Sequence, residues 1–225
     1  MPCWCGFRLN DMTRQQAPFG VSRHAPKLIM VALVGLLASG CQRTVFEHAP
    51  EHPVTLSATD CDQALVGHWM SKTETDEEFG EIQVFVDAAC SVRTIERRAE
   101  GLRESVPTQI NTLTLGRQSV LAVSAEWANH SFDVTPNTFD HPGDVYLYGY
   151  RLRGEDHLQL FQVRHQKLAE RGLRRKLEAD VLLEDGSLTV RVRGDGKSQH
   201  QQLVALKIFD TSEPLNFVRS GQAAK

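Results

Sequence analysis

The chain has 225 residues, of which 41% are apolar, and a formal net charge of −3. This length and composition suit one globular domain with a sizeable core. The acidic balance excludes nucleic acid as the main partner, because binding to phosphates requires a cation-rich surface.

The first distinct element is a short apolar run, residues 28–37, preceded by the basic residues Arg23 and Lys27. As a helix, the run would cover about 15 Å, whereas a membrane span needs about 20 residues to cross roughly 30 Å. A basic flank, a short apolar core and small residues before a cleavage point are typical of a secretory signal peptide. We predict this signal peptide over residues 1–40, with Met12 as an alternative start; a buried helix of the mature fold is the other interpretation.

The next residues, Ala38, Ser39, Gly40 and Cys41, resemble the lipobox of bacterial lipoproteins. The resemblance implies that Cys41 becomes the mature N-terminus, with a diacylglyceryl group on its sulfur and an acyl chain such as palmitate on its amine. Two or more chains are what stable anchoring requires. Because Gln42 and not aspartate follows the cysteine, the resemblance also implies the outer membrane of the cell envelope, on its periplasmic side. Cleavage removes four basic residues and one acidic residue and so changes the net charge to −6.

Two other cysteines, Cys61 and Cys90, remain in the mature chain. An oxidising compartment favours a disulfide between them. The bond would close a loop of roughly 30 residues and contribute about 3 to 4 kcal/mol in the chain-entropy model. The alternative is two buried thiols that pack as small apolar groups.

Residues 42–60 contain Pro50 and Pro53 and lack periodicity, so we predict a flexible tether that holds the domain on the order of 25 Å from the membrane. The globular domain is expected over residues 61–210, and residues 211–225 are expected to form a loosely ordered tail.

Within the domain, period-two alternation and turn residues predict a succession of short strands. The expected strands cover 81–87, 91–97, 111–115, 119–127, 145–153, 157–164, 179–183 and 188–193. Helices are expected over 165–177 and 198–209, and the residues 132–144 form a loop rich in turn residues. Alternation places Tyr146, Tyr148 and Tyr150 on one face, where we favour packing over a ligand-binding tyrosine ladder.

The helix expected over 165–177 is strongly basic. Lys167, Arg171, Arg174 and Arg175 are candidates for contact with an anionic lipid surface, at about 1 kcal/mol for each basic residue close to it. A solvated helix face is the simpler interpretation of the same charges.

Many short strands without βαβ alternation predict a mainly β fold, an antiparallel sandwich or barrel with one or two short helices. Gly67 and Trp69 resemble the G-x-W of the first lipocalin strand. This resemblance implies an eight-stranded cup that the tryptophan closes at one end.

The mature chain contains few motifs that indicate a chemical activity. It contains no nucleophile elbow, metalloprotease motif or nucleotide-binding loop, and we predict no enzymatic activity, metal or cofactor. The leading hypothesis is a lipid-anchored envelope protein with a binding or scaffolding role, whose partner is another envelope protein or an apolar ligand. A lipocalin-like carrier of an apolar small molecule and a hydrolase without a recognisable motif are the alternatives.

Overall fold

A computed structural model describes residues 42–49, 61–71, 82–98, 101–131, 141–184, 186–194 and 196–221. The predicted signal peptide and Cys41 lie outside the described residues, so the signal peptide and the lipid anchor stay predictions. The strands are β1 (Gln42–Phe46), β2 (Gly67–Ser71), β3 (Ile82–Val86), β4 (Ser91–Arg98), β5 (Gly101–Glu104), β6 (Thr108–Leu115), β7 (Gln118–Ser124), β8 (Val145–Arg153), β9 (His157–Phe161), β10 (Ala179–Glu184), β11 (Ser187–Val192) and β12 (Leu215–Arg219). The helices are a 3-10 turn (Gln63–Leu65), α1 (Ala125–Ser131), α2 (His165–Leu173) and α3 (Gly196–Leu206).

Eight of these strands form a closed antiparallel barrel, which confirms the mainly β prediction and selects the barrel over the sandwich. The order around the barrel is β2, β3, β4, β6, β7, β8, β9 and β12, and β12 pairs with β2 to close it. The strands of the barrel therefore follow one another around it in the same order as in the sequence. The short β5 pairs with the second half of β4 and extends the β4–β6 wall.

Alternation along the strands sends one set of side chains into the barrel and the other set outward. On β7, for example, Leu121 and Val123 face inward while Val120 and Ala122 face outward. The inward set forms an interior cluster: Leu65, Trp69, Val86, Cys90, Val92, Ile110, Leu121, Val123, Tyr150, Leu158 and Phe217.

The remaining strands form a small sheet that continues from the start of β8. In it, β1 lies between β8 and β11, runs parallel to β11, and pairs with β8 through Phe46 and Val145. A buried ion pair joins this sheet to the barrel: Asp144, just before β8, accepts hydrogen bonds from Nε and Nη2 of Arg191 on β11, both at 3.0 Å.

Helices α2 and α3 cover the space between the small sheet and the outer wall of the barrel. Their apolar faces complete a second cluster, which includes Phe46, Leu147, Leu168, Leu203 and Phe209. Gly149 on β8 allows a close approach at this contact, because a Cβ there would lie 3.0 Å from the Phe209 ring, which is tighter than an ordinary side-chain contact. This cluster explains why the outer face of β6, β7 and β8 is apolar.

The structure differs from the sequence prediction at both ends of the domain. Residues 42–46, expected in a tether, form β1, and Val45 and Phe46 are fully buried there. The expected loose tail contains β12, whose Leu215 and Phe217 alternate into the barrel. Both strands are stabilised by pairing with strands far away in sequence, which local patterns do not reveal. Residues 50–60 and 222–225 lie outside the described part of the chain.

A third difference is at the predicted strand 119–127. The strand ends at Ser124, whose hydroxyl accepts a hydrogen bond from the Trp127 N–H at 3.3 Å and so caps helix α1. The helices expected over 165–177 and 198–209 are present but shorter, as α2 and α3. No helix among the described residues is long and apolar enough to cross a membrane.

Candidate functional site

One end of the barrel, here called the closed end, is covered by the 3-10 turn, whose Leu65 joins Trp69 of β2 in the interior cluster. Trp69 is fully buried, and its Nε1 donates a hydrogen bond to the Leu65 carbonyl in the 3-10 turn at 2.8 Å. The Arg219 guanidinium, from β12, lies over the indole ring at 4.1 Å from its centroid. The same guanidinium donates to the carbonyls of Ala64, Val66 and Glu155. Arg219 thus joins the 3-10 turn, the last strand and the β8–β9 turn.

The structure explains why the G-x-W pattern has a glycine at its first position. Gly67 has φ of +144°, and a Cβ at this position would overlap Nη1 of Arg219. A larger residue would therefore displace the guanidinium from the tryptophan.

Two further links hold the closing segment in place. The predicted disulfide is confirmed: Cys61 is bonded to Cys90, with their Cα atoms 5.5 Å apart, and joins the 3-10 turn to the β3–β4 connection. The Tyr150 hydroxyl donates to Asp62 Oδ2 at 2.7 Å. Burial, together with this bond to a carboxylate, raises the pKa of Tyr150, so the phenol stays protonated and remains a donor.

The tyrosine face of β8 points into the barrel. Tyr146, Tyr148 and Tyr150 pair in register with Val123, Leu121 and Ser119 of β7, on the side of the interior cluster. The predicted shared face is therefore correct, and it is the inner wall. Burial raises the pKa of Tyr148, with a smaller contribution from Tyr146, which keeps its phenol neutral.

Several apolar side chains of the inner wall retain accessible surface. Val84, Leu160 and Leu215 pack against the interior cluster from three different strands, yet each is only partly buried. Side chains at the centre of a completely filled barrel would lose that surface. These residues of the inner wall therefore keep part of their apolar surface accessible.

The other end of the barrel is polar. Glu96 and Arg98, both facing inward on β4, form an ion pair with Arg98 Nη2 2.7 Å from Glu96 Oε2. Helix α1 packs beside β7 and β8 and is attached by two hydrogen bonds. The Tyr146 hydroxyl donates to Asn129 Oδ1 at 2.8 Å, and Arg103 Nη2 donates to the His130 carbonyl at 2.7 Å.

The four basic residues predicted to contact an anionic surface have different surroundings. Lys167 is turned toward the end of α3, where its Nζ donates to the Leu206 carbonyl at 2.5 Å. Arg174 pairs with Glu170 at 2.8 Å, on an exposed part of α2. Arg175 is exposed and Arg171 is partly buried. Lys167 therefore has a structural role, and the lipid contact of the group stays a prediction.

The described histidines lie in separate places. His68 stacks on Phe85 at 4.1 Å, and His157 pairs with Asp156 at 2.8 Å on the surface. His165 is hydrogen-bonded to the Thr44 hydroxyl at 2.9 Å, and burial lowers its pKa to about 4. Thr44 is 2% exposed, so this pair attaches α2 to β1 out of reach of a substrate. Within the described ranges, no group of three or more His, Cys, Asp or Glu side chains is arranged to hold a metal ion.

Sequence analysis did not predict that Arg219 and Asp62 take part in the contacts at the closed end. The alternation of Leu215, Phe217 and Arg219 was a usable signal for β12. The partners of the two residues are 155 and 88 positions away in the chain, and no local pattern contains that information.

The chain was compared with protein-family models, with curated proteins and with solved structures. None of the three comparisons finds a match. The site must therefore be interpreted from its own geometry.

Proposed function

We propose that this protein is a lipid-anchored binding protein of the cell envelope, and that its barrel holds an apolar small molecule. The observation that carries the proposal is a closed eight-stranded barrel whose interior cluster is apolar and includes side chains that are only partly buried. The closed eight-stranded barrel, with Trp69 buried in it, supports the resemblance to lipocalins that Gly67 and Trp69 indicated. Ligand sites in such barrels are apolar cavities with a few polar groups.

The inner wall favours a particular kind of ligand. Its centre is apolar, so the binding free energy would come mainly from burial, at about 25 cal/mol for each Å² of apolar surface removed from water. A ligand that buries on the order of 300 Å² of apolar surface gains about 7 kcal/mol from burial, and the net binding free energy is smaller because association costs translational and rotational freedom. The neutral phenol of Tyr148 and the Glu96–Arg98 pair provide polar contacts toward one end.

A fluorescent apolar probe tests the proposal directly. We expect 1-N-phenylnaphthylamine to increase its emission on binding to the purified protein, with saturation at one probe per chain. Replacing Leu160, on the inner wall, by Trp fills the barrel and should weaken probe binding at least tenfold. Gln159→Trp is the matched control, because Gln159 is the preceding residue on the same strand and points outward.

The two variants also show how the proposal fails. Equal probe affinity in Leu160→Trp and Gln159→Trp would place the probe outside the barrel. Circular dichroism of both proteins verifies that the barrel is intact before the affinities are compared.

Anchoring rests on the lipobox resemblance of Ala38–Cys41 and has its own test. The Cys41→Ser variant should move from the membrane fraction to the soluble periplasmic fraction, because the thioether to lipid cannot form. Mass spectrometry of the mature wild-type protein should show an N-terminal cysteine with three acyl chains. A mature protein that begins upstream of Cys41, or lacks fatty acid, contradicts the anchor.

A further inference from the structure

We infer that the hairpin formed by β10 and β11 rests on the membrane surface, with the Leu183 side chain in contact with the bilayer. This inference deepens the proposed function and depends on the lipid anchor at Cys41. Residues 42–46, which were expected to belong to a flexible tether, form the strand β1.

Strand β1 begins so close to the predicted anchor that no flexible linker separates the two. It starts at Gln42, one residue after Cys41, and its backbone pairs with β11 over five successive residues. Thr44, Val45 and Phe46 are at most 2% exposed, so the strand is part of the packed structure. Gln42, the residue covalently bonded to the acylated position, is therefore itself part of the sheet.

The strand register then determines which part of the domain is nearest to the anchor. Gln42 lies beside Leu188 of β11, and Leu188 lies beside Leu183 of β10. Neighbouring strands are about 4.8 Å apart, so Leu183 is roughly 10 Å from Gln42 across the sheet. β10 ends one residue after Leu183, at Glu184, which lies beside Ser187 at the start of β11.

Leu183 also has the chemistry that a bilayer contact requires. Its side chain is 56% exposed, and it is one of the few large apolar side chains of the described chain that face water. Acyl chains on Cys41 insert into the hydrocarbon, which brings the hairpin to the interface, where contact with Leu183 removes apolar surface from water. Glu184 follows Leu183 and is exposed, so the contact is shallow and the carboxylate stays at headgroup level.

The test uses the full acylated protein with one introduced thiol. Cys61 and Cys90 are bonded to each other and Cys41 carries lipid, so a Leu183→Cys variant has one free thiol for the fluorophore NBD. Leu102→Cys is the matched control, because Leu102 is 70% exposed on β5, far from β1 in the strand order. Both proteins are reconstituted into phosphatidylcholine vesicles with and without lipid that carries a nitroxide near the headgroup.

We expect lipid nitroxide to quench the label at position 183 at least threefold more than the label at position 102. Equal quenching at the two positions in protein that floats with the vesicles overturns the hairpin contact and leaves the anchor intact. Protein that does not float with the vesicles overturns the anchor and the inference together. Shielding of position 183 from aqueous iodide in detergent, without lipid quenching in vesicles, indicates a second copy on the hairpin and also overturns the inference.

Discussion

The ion pair between Asp144 and Arg191 provides the sharpest test of how the small sheet is attached to the barrel. Its two hydrogen bonds are 3.0 Å long, and the side chains of Asp144 and Arg191 are only 1% and 11% exposed. Asp144→Asn keeps the side-chain size but removes the charge, which leaves the Arg191 guanidinium buried without its carboxylate. Removing one partner of a buried pair costs about 3 to 5 kcal/mol.

The expected cost of Asp144→Asn lies at the lower end of that range, about 3 kcal/mol, because Glu47 remains 3.5 Å from Arg191. A nearly ideal control lies on the same sheet. Asp180 pairs with Arg193 at the same distance, 3.0 Å, but those side chains are 39% and 43% exposed. Asp180→Asn should therefore cost less than about 1 kcal/mol, since solvent screens the pair.

Urea unfolding at pH 7 measures both free energies in the purified mature domain, with the slope m compared between variants. Adding Arg191→Met to Asp144→Asn should recover at least half of the loss, because the unpaired buried charge is then gone. Costs of Asp144→Asn and Asp180→Asn that agree within about 0.5 kcal/mol would refute the reasoning that burial, and not distance, decides the strength of the pair.

Three further predictions concern other contacts in the barrel and the small sheet. Replacing Cys61 and Cys90 together by Ser should lower the free energy of unfolding by about 3 to 4 kcal/mol, as should reductant added to the wild-type protein; no shift in either urea curve contradicts this. His165 has a folded pKa of about 4, below its unfolded value of about 6.5, so the free energy of unfolding is at its full value above pH 6.5 and falls by up to about 3 kcal/mol toward pH 4. Urea unfolding of His165→Asn at several pH values should lack that part of the pH dependence. Parallel profiles for the variant and the wild-type protein would contradict this prediction. Arg219→Met should cost about 2 kcal/mol, because the guanidinium no longer donates to its carbonyls. Gly67→Ala should cost more than Arg219→Met, because the Cβ displaces the guanidinium and also sits at a φ of +144°; the double variant should cost less than the sum, and additive costs would show that the two residues act separately.

The sequence predicted the parts of the fold that depend on neighbours in the chain. The alternation of residues 145–153 and 157–164 about a three-residue turn indicated the β8–β9 hairpin, and it also indicated that the three tyrosines share a face. The turn residues and β-rich runs were enough for the mainly β class. The parity of the mature cysteines was enough for the Cys61–Cys90 bond.

The candidate site was predicted only in fragments. Gly67 and Trp69 were noticed, but the side chain that covers the indole, Arg219, lay in a segment expected to be loose. The first three residues of helix α1 lay within the expected strand 119–127, because a serine cap and a seven-residue helix leave little periodicity to detect. Whether the tyrosine face pointed to the inside or the outside of a sheet could not be read from alternation, which is the same in both cases.

By itself, the sequence determined the alternation of polar and apolar residues, the turn positions and the pair of cysteines, since each is a property of residues close together or of composition. Only the tertiary structure decided that β12 closes the barrel and that β1 pairs with β11, whose residues lie 146 positions further along the chain. Backbone hydrogen bonds between strands are the same for every pair of sequences, so local patterns permit many pairings. The burial of whole faces, such as that of Phe46 and Phe217, selects one of them.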